Sequence, residues 1–325
     1  MEAKLQSELE QQQIEENEVK RRIHLVIFRH DQKAKNIPEG HDALVPLTPG
    51  GVAHAYESAS ELGIQNPAKI ISSTRKRVMQ TALLKWANVA KIPKADVIEQ
   101  TVEELADLVT QSLKDRKGAN RKIMTTDDRL NFDYESNLSF GNSFYKEYEQ
   151  LKQNRTLDWQ IEHSDQIVLD LAQKEPDEGL MKVSSYTRFA GDMAQMINRY
   201  VRAFGKLKIL KKKENFDFDI LMGTHSQNLE CFLMRLIEIK EGKPALQSFL
   251  SKLNNRKGFV DFSEGLKVNI VEDKKDTQQV KKIEISFRDK KWDVTMQDLE
   301  IMIRDRDQFN EKVRHILDDN SKKEQ

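Results

Sequence analysis

The stretch Ile23-His24-Leu25-Val26-Ile27-Phe28-Arg29-His30 constrains this chain more than any other. It is a short apolar run, rich in β-branched and aliphatic residues and bounded by charge on both sides. Such a run suits a strand buried on both faces of a parallel sheet. The run stops abruptly at a guanidinium and an imidazole. In open α/β sheets the carboxyl ends of the strands are where ligands bind. Taken alone, Arg29 and His30 read as no more than the first polar residues of a loop. Their significance depends on what the rest of the chain brings to the same edge.

The chain alternates strand-like and helix-like segments around that run. Thr48-Pro49-Gly50-Gly51 reads as a helix start, with Thr48 as cap and Pro49 in the first turn. The helix is expected over 51–62, ending at Gly63. A second strand is expected at 68–73, passing directly into a helix that begins at Thr74 or Arg75 and ends near 89. A third strand is read at 97–99, a helix at 101–113 and a basic loop at 114–122. Residues 142–174 read as polar and mostly helical. An amphipathic helix is expected over 184–204, whose Phe189, Met193, Met196 and Ile197 read as core. Residues 216–223 form a further strand, followed after Thr224-His225-Ser226-Gln227 by a helix at 228–239. Late strands are expected at 268–271, 282–287 and 291–295. A charged helix and fraying end close the chain from 296. This alternation predicts an α/β fold, a three-layer α/β/α sandwich with a mostly parallel central sheet. The domain expectation is a charged arm over 1–22, one domain over 23–300 with a helical insertion at about 114–184, and a charged tail over 301–325.

Bulk composition narrows the function classes. With 53 Lys+Arg against 53 Asp+Glu, nothing draws the chain as a whole to nucleic acid or an anionic membrane, so an anion site must be local. Its single cysteine, Cys231, excludes an intrachain disulfide and favours a reducing compartment. The polar start carries no apolar signal region, and no apolar run approaches the roughly 20 residues that span a bilayer. The expected location is the cytoplasm. No HExxH, cysteine cluster or Asp-x-Asp loop supports a metal. Gly223 stands alone, and Gly50-Gly51 lacks the Lys-Ser/Thr of a P-loop, so neither cofactor nor metal is expected. His24, His41, His54, His163 and His315 fit no ligand pattern and read as surface or structural histidines.

Three strand ends carry polar groups: Arg29-His30, then Ser72-Ser73 with Arg77, then His225. If the strands are parallel, these ends share one edge. Two arginines and two histidines gathered there would repel one another without an anion. Arginine presents a planar fork suited to phosphate oxygens. Ser72 and Ser73, just before a helix, can add donors. Asn36 could add one more from the loop.

The motifs Phe28-Arg29-His30, Leu47-Thr48-Pro49-Gly50-Gly51, Ser72-Ser73-Thr74-Arg75-Lys76-Arg77-Val78-Met79-Gln80-Thr81-Ala82 and Gly223-Thr224-His225 occur in order at strand–helix junctions. Together they resemble the histidine phosphatase superfamily, also called phosphoglycerate mutase-like, over residues 23–236 apart from 114–184. The resemblance implies a phosphatase without a metal, acting on a phosphorylated small molecule or a phosphoprotein. It makes His30 the nucleophile. Arg29, Arg77 and His225 would hold the phosphoryl oxygens, with Asn36 and Ser226 as further phosphate contacts. The ring nitrogen of His30 that does not attack needs a fixed acceptor such as a backbone carbonyl.

The sequence departs from the family pattern in two places. The position where many members carry an acid falls on Asn131 or Phe132, neither of which can protonate a leaving oxygen. Asp133 is the nearest substitute, with Glu135 and Asp128 as further candidates; a solvated acidic loop is the plainer reading of that cluster. In the superfamily's other large branch Asp follows the second histidine, where this chain has Ser226. Asp31 stands where Gly is usual, and would weaken anion binding unless it turns away or pairs with Lys33 or Arg77. Three readings follow: a phosphomonoesterase, a phosphate-binding module without turnover that uses 1–22 and 142–174 as partner surfaces, or a mutase-type phosphotransferase.

Overall fold

The computed structural model describes residues 21–34, 42–117, 123–131, 186–210, 216–253, 260–272 and 282–323. Strand β1 (Arg21–Arg29) sits inside a seven-stranded sheet and is buried from Ile23 to Phe28. Successive side chains of a strand point to opposite faces. Ile23, Leu25 and Ile27 therefore enter one core, while Val26 and Phe28 enter the other. That two-sided burial is why the run is continuously apolar rather than alternating.

The other strands are β2 (Pro67–Ser72), β3 (Met124–Thr126), β4 (Phe216–Thr224), β5 (Gly265–Val271), β6 (Lys282–Phe287) and β7 (Lys290–Val294). Their order in the sheet is β3-β2-β4-β1-β5-β6-β7. The first four in that order are mutually parallel, whereas β5, β6 and β7 form an antiparallel meander. Helices α1 (Pro49–Glu57), α2 (Lys76–Val89) and α3 (Val102–Lys117) build one layer around Val52, Ala82, Leu83 and Leu105. Helices α4 (Tyr186–Leu210), α5 (Ser226–Glu241), α6 (Lys243–Leu253) and α7 (Met296–Lys323) build the other around Met193, Ile197, Phe232, Phe249 and Met302. The molecule is the three-layer α/β sandwich expected from the sequence, with parallel core strands.

Local details follow the sequence. The Thr48 side chain accepts from the Gly51 backbone N–H, with Pro49 beside it, but α1 ends at Glu57, short of the expected 62: Ser58 caps it, its hydroxyl turned back to the His54 carbonyl, and Gly63 closes a separate 3-10 turn (Ser60–Leu62) at φ 66°. Residues 97–99 do not form the expected strand. Lys94–Asp96 is a 3-10 turn, and the N–H groups of Val97 and Ile98 bond back to the Lys94 carbonyl. Those local bonds take up the Val97 and Ile98 N–H groups that a ladder would use. The missing strand is supplied instead by β3, whose Met124 pairs with Ile70 at the sheet edge. Helix α3 continues to Lys117, into the segment read as a basic loop, and α6 was not foreseen. The readings on 1–20 and 142–174 lie outside the described residues.

Register brings the strand ends level. Arg29 pairs with Thr224, and Ser72 with Gly223. The pairing continues past the strands, because the His30 N–H bonds to the Thr224 carbonyl (3.1 Å) and the Ser73 N–H to the Gly223 carbonyl (3.0 Å). Gly223 lets α2 come close: a Cβ there would stand 2.8 Å from a Val78 methyl. A side chain at 223 would push away the first turn of α2, which carries Arg77.

Candidate active site

His30 is buried to 7% exposure at the end of β1. Its Nδ1 lies 2.7 Å from the Asp31 carbonyl oxygen. A carbonyl only accepts, so Nδ1 carries the proton and Nε2 keeps its lone pair. Arg77, in the first turn of α2, donates its Nε–H to that Nε2 across 3.3 Å. Burial, followed by the Arg77 and Arg29 charges, holds the His30 pKa well below its usual value, so the ring is neutral at pH 7.

His225 occupies the N-cap position of α5, its ring centre 5.1 Å from that of His30 and nearly perpendicular to it. Its Nε2 lies 3.1 Å from Ser73 Oγ. The Ser73 hydroxyl gives its own proton to Asn131 Oδ1 at 2.6 Å, so the His225 Nε2–H donates to the serine. Burial first, then His30, Arg77, Arg75 and Lys33, depress the His225 pKa. Both imidazoles are therefore neutral in a field set by guanidiniums.

Arg29 is held from the far side by a loop that sequence reading passed over. Its Nη1 donates to the Val260 carbonyl (2.7 Å), and its guanidinium lies 4.3 Å from the centre of the Phe262 ring. The backbone N–H of Arg29 donates to the Glu264 carbonyl. Buried Glu230, on α5, accepts from the Val260 N–H and so anchors the residue whose carbonyl holds Arg29. Little in the sequence marked residues 260–264, whose role depends on β5 pairing with β1. Arg75 was also missed. It is buried beside His225, within a segment already dense in cations.

The strand ends thus bring together Arg29, His30, Arg77, His225 and Ser73. Ser226 is buried as the first residue of α5. Ser72 is adjacent, but its hydroxyl turns to the Ser73 carbonyl. Asn36, Asp133 and Glu135 lie outside the described residues. Asn131 stands at the rim, accepting from Ser73 Oγ and from the Thr74 N–H (2.9 Å). Its turn is anchored by Thr224, whose hydroxyl donates to the Leu130 carbonyl, and by the Asn228 amide. Asp128 accepts from the Asn131 side chain, and Asp127 is engaged by Arg129. The Asp31 carboxylate turns toward His54 and Ser263, and its partners are neither Lys33 nor Arg77. Its Oδ2 accepts from His54 Nδ1 (2.6 Å) and Ser263 Oγ (2.5 Å). His54 is therefore tied to the site through Asp31, unlike His24, which pairs with Asp219 in the sheet as a structural histidine should.

Chemically, the arrangement is a set of buried guanidiniums around two neutral imidazoles, with the His30 Nε2 lone pair met by the Arg77 Nε–H. Among the described residues no cluster of His, Cys, Asp or Glu could hold a metal ion, and no helix is long and apolar enough to cross a membrane.

No family model matches the chain, and no curated protein matches it. Solved structures are similar at low identity. A mycobacterial protein described as hydrolase 2 aligns over 87% of this chain and 97% of its own at 14% identity, TM-score 0.42. A mycobacterial glucosyl-3-phosphoglycerate phosphatase aligns over 77% and 91% at 14% identity, TM-score 0.38. A phosphoglycerate mutase from Bacillus anthracis aligns over 88% and 97% at 12% identity, TM-score 0.38.

Proposed function

We propose that this chain is a phosphatase of the histidine phosphatase type, hydrolysing phosphomonoesters through a phosphohistidine on His30 without a metal. One observation carries the reading: the His30 Nδ1–H is held by the Asp31 carbonyl, so that Nε2 carries the lone pair, which accepts a long hydrogen bond from the Arg77 Nε–H on the side of the ring near His225. A neutral imidazole needs to lose no proton before attacking, and the depressed pKa of His30 keeps it in that form.

In the proposed reaction His30 Nε2 attacks phosphorus in line. The N–P bond forms as the bond to the leaving oxygen breaks, and that oxygen keeps the electron pair and takes a proton. Arg29, Arg77 and His225, with Ser226 and Asn36, hold the equatorial oxygens where charge is spread in the transition state. Water then attacks phosphorus, the N–P bond breaks, and neutral His30 and inorganic phosphate are released. Asp133 is the proposed proton donor to the leaving oxygen. The substrate is a phosphorylated small molecule or phosphoprotein, and the proposed location is the cytoplasm.

A second reading is favoured by Asn131, an amide at the rim where an acid would serve. It is a module that binds phosphorylated ligands without turnover. Phosphate release from p-nitrophenyl phosphate and a panel of alkyl monoesters separates the two. The phosphatase reading expects release that His30→Ala lowers by more than about 10³-fold. Tungstate binding that is lost in Arg29→Ala plus Arg77→Ala, with no release from any ester, would leave only the binding module.

A further inference from the structure

We propose that the Asp31 carboxylate, clamped by His54 and Ser263, is the positioning device that fixes the His30 ring in its attacking tautomer. This rests on the reading of His30 as nucleophile. Asp31 is 2% exposed, and each of its polar atoms is engaged. Its N–H donates to Thr81 Oγ1 (3.1 Å), and Thr81 in turn donates to the Arg77 carbonyl (2.9 Å). Its carbonyl accepts from His30 Nδ1. Oδ1 accepts from the Gln32 N–H (2.7 Å), and Oδ2 takes both His54 and Ser263. A peptide held at all these points cannot rotate its carbonyl away from the imidazole.

The two donors come from different layers of the chain. His54 lies on α1, and Ser263 lies in the loop that also holds Arg29 through Val260, Phe262 and Glu264. Ser263 adopts φ 61°, an uncommon conformation for a residue with a side chain. That conformation is retained while its hydroxyl reaches Asp31 across 2.5 Å. The clamp thus joins the two halves of the pocket wall at the residue next to the nucleophile. Without it, the Asp31 side chain keeps only the Gln32 N–H, and the 31 peptide is held less firmly. The His30 Nδ1–H would then lose its fixed acceptor, and only the Arg77 Nε–H on Nε2 would still oppose the Nε2–H tautomer, which has no lone pair there to attack with. A purely structural role for the clamp would change stability and leave the tautomer alone.

The test is imidazole ¹⁵N–¹H correlation NMR of the full chain, with the His30 signal assigned by its loss in His30→Gln. The wild type is expected to show one neutral tautomer, protonated at Nδ1. The double variant Ser263→Ala plus His54→Ala removes both Oδ2 donors and is expected to show tautomer exchange at His30, as is Asp31→Ala. Partners that orient an imidazole through its second nitrogen are worth on the order of 10–100-fold in activity at metal sites. The expected fall in kcat on p-nitrophenyl phosphate is about 10-fold, with KM within about twofold. A fixed Nδ1–H tautomer in the double variant overturns the proposal, whatever happens to the rate. If Asp31→Ala does not fold, the double variant decides. Absence of phosphatase activity would refute the functional reading and leave the tautomer result standing on its own.

Discussion

The floor of the candidate site and its rim are built to different standards. On the floor, Arg29, His30, Arg77 and His225 are all buried and are tied to strand ends, helix starts or the 260–264 loop. At the rim, the turn from Asp127 to Asn131 spends its carboxylates on Arg129 and on the Asn131 amide, and offers the pocket that amide. Orienting an anion and a nucleophile requires fixed dipoles in a dry site, which the floor supplies. Protonating a leaving group requires a titratable acid aimed inward, which the described part of the rim lacks. The two regions therefore predict different losses when each is altered.

The floor should give the larger effect. Arg77 meets His30, the proposed nucleophile, so Arg77→Ala is expected to lower turnover of p-nitrophenyl phosphate by about 10²–10³-fold, the scale of losing one fixed transition-state donor. Tungstate affinity should fall in parallel. A variant with wild-type turnover would remove Arg77 from the site and undo the contrast between floor and rim.

The rim gives the next effect, and its sign is opposite. General acid catalysis contributes roughly 10²–10⁴-fold where the leaving group needs a proton. Nitrophenolate needs none, whereas an alkoxide does. Asn131→Glu places a carboxyl at the rim beside Ser73 and Thr74, and is expected to raise the alkyl-to-aryl rate ratio by about 10-fold. An unchanged ratio measured on matched alkyl and aryl phosphates would mean that the acid comes from elsewhere, with Asp133 as the proposed source.

Burial of the floor also has a signature in stability. His30 and His225 both have pKa values depressed in the folded state, by burial before any charge. The unfolded chain titrates them near the ordinary value of about 6.5. Above that pH neither state binds the proton and the histidines contribute nothing to the pH dependence. As pH falls below about 6.5 the unfolded state takes up protons first, so stability falls. The melting temperature should drop from pH 7 to pH 5.5, and drop less steeply in His30→Gln plus His225→Gln. Equal slopes in the two proteins would contradict neutral burial of the pair.

The sequence made the floor legible because each of its residues follows a short apolar run or starts a helix, and parallel strands must end together. It left the 260–264 loop and Arg75 illegible, because their positions depend on strand pairing between β5 and β1 and on packing next to His225. Asp31 shows the limit most clearly. Sequence alone placed a carboxylate beside His30 and marked it as a hazard to anion binding. Two partners distant in sequence, His54 and Ser263, turn it away. In the fold, the parallel core followed from periodicity. The antiparallel meander and the β3 edge were harder to read, since alternation fixes which face a strand buries but not which neighbour it pairs with.

The smallest predicted effect lies beneath the floor, at Lys85. This residue of α2 is fully buried, and its ammonium donates to Ser58 Oγ (2.8 Å) and lies 5.4 Å from the Phe28 ring centre. Burial pushes its pKa down to about 7, against the opposing pull of Asp31 and Glu61. The unfolded value is near 10.4, so between about pH 7 and 10.4 the unfolded state binds the extra proton and stability rises with pH. Below pH 7 both states are charged and the full cost of burying the ammonium remains. Ser58 would not be orphaned by its removal, because its hydroxyl also donates to the His54 carbonyl at 2.7 Å. Lys85→Met, similar in length and apolar, is therefore expected to raise the melting temperature at pH 6.5 by roughly 2–4 °C. The gain should shrink as pH rises toward 9. A loss of stability at pH 6.5 would instead mean that the ammonium's attraction to Asp31 outweighs its desolvation, and that the floor depends on this lysine.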